Sequence, residues 1–150
     1  MRRLGVAGTA TMVAATPYVD ANLLYVRPDL LVYTEWPQFT FSQLPVGATA
    51  PAQRTDLRTV GLPSAGDQGP GGVGEVPPGL AAAGQLRLVT WPAGAWVHAA
   101  TAAAGNLLAV TAITQTVTVP NNPGGFAYVP AGSPGFASQA IIVAEWRQSG

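Results

Sequence analysis

The chain has 150 residues, of which 48% are hydrophobic and only 9% are Asp, Glu, Lys or Arg, against about 25% charged residues in ordinary soluble domains. Seven basic residues balance seven acidic ones, and there is no cysteine. This excludes disulfides, thiolate metal sites and cysteine nucleophiles, and scattered arginines at zero net charge give no basic stripe for nucleic acid. So little charge also leaves a chain few means of repelling its neighbours, which is the composition of a subunit in an assembly. No apolar run is long enough to span a membrane.

Residues 1–44 read as an N-terminal arm and the first strands. The opening MRRLGVAGTATMVAA has the basic start and small residues of a signal peptide. Gly5, Gly8, Thr9 and Thr11 break its apolar stretch, so an arm or strand is the better reading. Asn22–Val26 and Asp29–Thr34 are apolar and aromatic, split by Arg27-Pro28, and predict two short strands or one bent one. Phe39–Ser42 alternates apolar and polar, the period of a half-buried strand.

Residues 45–84 are the least regular part. Between Gly61 and Gly79, eleven of nineteen residues are Gly or Pro, and only Leu62, Val73 and Val76 carry sizeable apolar side chains. That content predicts a Pro/Gly-rich extended arm or loop, held by neighbouring subunits because ordering it costs about 1–2 kcal/mol per residue. Arg54, Asp56 and Arg58 alternate in sign within it and are candidates to meet a partner surface.

Residues 85–150 read as the β-rich core. Gln85–Trp91, Ala95–Ala99, Asn106–Ile113, Gln115–Val119, Gly125–Val129 and Gln139–Trp146 are strand-like, with turns every 8–12 residues. Ala100–Gly105 reads as a turn or one short helical turn. The fold class is therefore all-β, a small β-barrel or β-sandwich with an extended arm. Leu86, Leu88, Val117, Val119, Phe126, Ile141 and Val143 are the expected core anchors.

No residue pattern spells out a reaction. His98 is the single histidine, and no GxSxG surrounds Ser42, Ser64, Ser133, Ser138 or Ser149. The seven carboxylates have no motif spacing, one histidine is too few for zinc, and Asp67 alone makes no calcium loop. Gly69–Gly74 offers a GxGGxG, but prolines flank it where a dinucleotide site needs a strand and a helix. The chain is read as a non-enzyme without cofactor or metal. The tryptophans are read as core and contact anchors. The interface candidates are Trp36, Arg54, Arg58, Trp91 and Trp146.

The stretch from Gly84 to Trp146, beginning GQLRLVTWPAGAWVHAATAAAGNLLAVTAITQTVTV, suits short strands joined by tight turns. In size, in Ala/Gly/Thr-rich β composition and in its arm, the chain resembles head decoration (cement) proteins of tailed phages. The resemblance transfers no functional residues. It implies a virion protein that binds the major capsid protein or other virion subunits non-covalently. It also implies a homo-oligomer, with a trimer as the leading form, and no nucleic acid or membrane partner. A jelly-roll minor capsid protein or a tail component reads almost the same, and a β-sandwich carbohydrate- or receptor-binding module is the alternative of another class.

Overall fold

A computed structural model describes residues 22–66 and 69–146, together with the backbone of 2–4 and 10–12. The rest of the expected N-terminal arm lies outside the described residues. Twelve strands form among them, all paired antiparallel, with one 3-10 turn and no α-helix. β1 (Arg2–Leu4) and β2 (Ala10–Met12) form a separate two-stranded pair.

The first four-stranded sheet is a meander of β3 (Asn22–Arg27), β4 (Leu30–Glu35), β5 (Thr40–Pro45) and β6 (Gln53–Asp56). The second is a meander of β7 (Gly69–Glu75), β8 (Leu86–Trp91), β9 (Ala95–Ala104) and β10 (Leu107–Thr118). They face each other across one core, with Leu30, Val32 and Phe41 from one side and Val73, Leu88, Val97 and Ile113 from the other. The alternation of each strand sends every second residue into this core. The sheets are separate, so the described residues form a sandwich and no closed barrel. Within each sheet consecutive strands are neighbours, which is not the crossed order of a jelly roll.

Side chains tie the two sheets together. Gln43 is fully buried, and its amide exchanges two hydrogen bonds with the backbone of Leu108, of 2.6 and 2.8 Å. Asn22 Nδ2 donates to the carbonyl of Val73 at 2.8 Å, joining β3 to β7. Buried amides are tolerated here because their hydrogen bonds are made.

The expected arm over 45–84 is not an arm. β6 pairs with β5, and the 3-10 turn Leu57–Val60 seats Leu57 and the following Leu62 in the core. β7, sequence GPGGVGE, pairs with β8, and Gly69 to Val73 are all buried. The expectation failed because it equated strand burial with apolar side chains. A glycine strand buries its backbone instead, and here it is the thin middle of a three-layer stack.

The third layer is a two-stranded ribbon of β11 (Pro123–Val129) and β12 (Ala140–Glu145). It lies on the outer face of the second sheet. Phe126 packs edge-on against Trp96 at 4.5 Å and against Tyr128 at 5.7 Å. A Cβ at Gly71 would come within 3.2 Å of the carbonyl oxygens of Pro123 and Gly124, and one at Gly72 within 3.1 Å of Gly125 Cα. The ribbon can approach this closely only because β7 lacks side chains on that face.

Two further expectations change. Ala100–Gly105 is no helical turn: β9 runs straight through to Ala104, and the reversal falls at Gly105-Asn106. Of the expected core anchors only Leu86 and Leu88 are buried, whereas Val117 and Ile141 are 54% and 43% exposed. Val119, Phe126 and Val143 are half-buried.

Candidate interaction surface

The outer face of the second sheet carries two cross-strand rows. Gly72, Val89 and Trp96 form one, and the ribbon covers it. Gly74, Arg87, His98 and Thr114 form the other. Directly opposed residues in an antiparallel pair stand about 5 Å apart at Cβ, so Arg87 and His98 are neighbours. The Arg87 guanidinium lies 5.7 Å from the Trp96 ring centre and donates to Thr116 Oγ1 at 3.2 Å. Thr116 Oγ1 in turn donates to the Trp96 carbonyl at 3.0 Å.

Arg87 differs from the other arginines whose side chains are described. Arg27 pairs with Asp29, Arg54 with Glu35 and Arg58 with Asp56. No carboxylate reaches Arg87 among the described residues, and its Nε and His98 Nε2 are both buried without a hydrogen-bond partner.

The first sheet carries the opposite arrangement, a charge already satisfied. Glu35 is fully buried and accepts from Ser42 Oγ and from both Nε and Nη2 of Arg54. That carboxylate holds the Arg54 guanidinium above its ordinary range. Burial raises the neighbouring Tyr33 phenol, while the Ser42 hydroxyl beside it pulls the other way. Ser42 and His98 sit on opposite outer faces of the sandwich, so they cannot act as a nucleophile and base pair. Among the described residues no group of acidic and histidine side chains could hold a metal ion.

The five interface candidates are placed differently. Trp36 and Trp91, both half-buried, pack edge-on against each other at 5.9 Å, each before a cis proline. Arg54 is held by Glu35. Arg58 lies over the Phe39 ring at 5.1 Å and binds Asp56, holding that carboxyl below the usual range. Asp56 also accepts from the backbone N–H of Arg58, capping the 3-10 turn. Trp146 alone projects freely, at 60% exposure.

A larger feature surrounds Trp146. From Leu88 to Ala144 the chain contains no Asp, Glu, Lys or Arg. This run builds β9, β10 and the ribbon, so one side of the molecule is almost charge-free. Its exposed apolar residues are Val117, Ile141, Ile142 and Trp146. The run is visible in the sequence to anyone who measures the spacing between charges rather than their total. The chain matches no known protein family, and no curated protein or solved structure matches it.

Proposed function

We propose that this is a structural virion protein, a decoration protein that binds an assembled capsid shell and stabilises it non-covalently. The observation that carries the reading is the uncharged surface of β9 to β12, edged by exposed apolar side chains. Docking such a surface strips no ions of water, so apolar contact and backbone hydrogen bonds suffice. The partners are the major capsid protein or other virion subunits, together with further copies of this chain. A protein that binds only the assembled lattice stabilises it by mass action, by about 2.7 kcal/mol per site at a hundredfold excess over Kd.

A second reading, a carbohydrate- or receptor-binding module, is favoured by Arg87, which lies over Trp96 beside His98 with no carboxylate partner among the described residues. It requires Arg87→Ala to abolish binding of an acidic sugar.

The chain has neither Lys nor Cys, so it can supply neither the lysine of an isopeptide bond nor a disulfide. Denaturing electrophoresis of purified virions, without reductant, is expected to release it as a single 15.3 kDa band. Its absence from virions, or a ladder of heavier bands containing it, contradicts the proposal.

A further inference from the structure

The ribbon has an open edge. β12 pairs with β11 and with no other described strand, and from Ala140 to Ala144 its far side makes no backbone hydrogen bond to the described residues. Natural edge strands are protected by charge, proline, a bulge or a cover. From Ala140 to Ala144 β12 reads Ala-Ile-Ile-Val-Ala, with neither charge nor proline before its terminal Glu145, and Ile141 and Ile142 are 43% and 50% exposed. The other long edge, β10, is partly covered: Gln43 occupies Leu108, and Gly61 lies against the carbonyl of Ile113.

The sequence of β12 says what fits there. Read about Ile142 it is a palindrome of size: Ala, Ile, Ile, Val, Ala. An antiparallel strand of the same sequence centred on Ile142 sets Ala140 opposite Ala144, Ile141 opposite Val143 and Ile142 opposite itself. Glu145, the one charge of β12, then meets Gln139 of the other copy and not its own counterpart. Trp146 meets Ser138 of the other copy, and its exposed ring closes the end of the pairing. We infer that two copies of this chain associate about a two-fold axis through Ile142, joining their ribbons into one four-stranded sheet. A two-fold axis makes the contact self-complementary and closed, in place of the three-fold association that the resemblance to decoration proteins implies. The inference does not depend on the virion reading, since it concerns the isolated chain.

The test is sedimentation equilibrium of the full-length chain and two variants, with circular dichroism to confirm the fold. Wild type is expected at twice 15.3 kDa. Ile142→Lys sets two like charges against each other on the axis while changing an exposed side chain of the single copy, and it is expected to sediment as a monomer with the β spectrum intact. The double variant Ala140→Lys, Ala144→Glu places opposite charges face to face only in this register. It is expected to remain a dimer whose dissociation constant rises with salt. A wild type that is monomeric, trimeric or openly polymeric overturns the inference, as does an Ile142→Lys dimer. Should Ile142→Lys fail to fold, the double variant decides, and a mass indifferent to salt overturns the inference.

Discussion

One missing methyl group decides how the layers meet at Gly74. A Cβ there would stand 2.8 Å from Phe126 Cε2 and 3.1 Å from Cζ. The phenyl ring has nowhere to go, because Trp96 and Tyr128 bracket it. Gly74→Ala is therefore expected to lower stability by about 1–3 kcal/mol, the usual cost of overpacking. Gly124→Ala is the control, since its Cβ would meet only the Ala144 carbonyl oxygen at 3.9 Å. Urea unfolding of both proteins checks the difference, and equal midpoints would contradict the three-layer account. This is where the sequence misled most. Eleven Gly and Pro in nineteen residues read as a segment unable to bury itself, because sequence patterns register side chains and not the close approach of two backbones. The contact between Trp36 and Trp91 was not legible for a related reason: nothing local shows that two tryptophans far apart in sequence meet each other.

Among the elements, the strands with strong apolar content were legible. β4, β5, β8, β11 and β12 fall where β-branched and aromatic runs placed them. β6, with the sequence QRTD, carries no such signal, and its pairing to β5 makes it a strand. β10 was read as two strands. It is one strand with bulges near Thr111 and Thr116, and a bulge interrupts alternation without ending pairing. The 61–79 segment supplies the edge strand β7 and buries Leu62, Val73 and Val76. Deleting Gly61–Gly79 would expose β8, uncover the core and remove the seat of the ribbon. The expected outcome is loss of the folded domain, read as a vanished cooperative thermal transition. A deletion protein that melts cooperatively near the wild-type temperature would return the segment to the status of an arm.

At the scale of the whole molecule, the fold sorts charge. The described ion pairs of Arg27, Arg54 and Arg58 belong to the first sheet and its 3-10 turn, while β9 to β12 carry no charge before Glu145. The all-β class was readable from turn spacing, but the assignment of faces was not. An apolar run says that something covers it, not whether the cover is the chain's own core. Val117 and Ile141 accordingly lie on the surface that the sequence placed inside. Trp146 is the candidate whose exposure leaves it free to meet a partner. Because it is 60% exposed, Trp146→Ala should change the folding stability of a single copy by no more than about 0.5 kcal/mol, so any larger effect must appear in association. The most direct test of a shell-binding role is co-sedimentation of the purified chain with capsid shells that lack it, titrated to saturation. The account predicts a fixed number of copies per shell, a higher temperature for release of packaged contents, weaker binding by Trp146→Ala and unchanged binding by His98→Ala. Shells that leave the chain in the supernatant, or a His98→Ala protein that fails where Trp146→Ala succeeds, would contradict it.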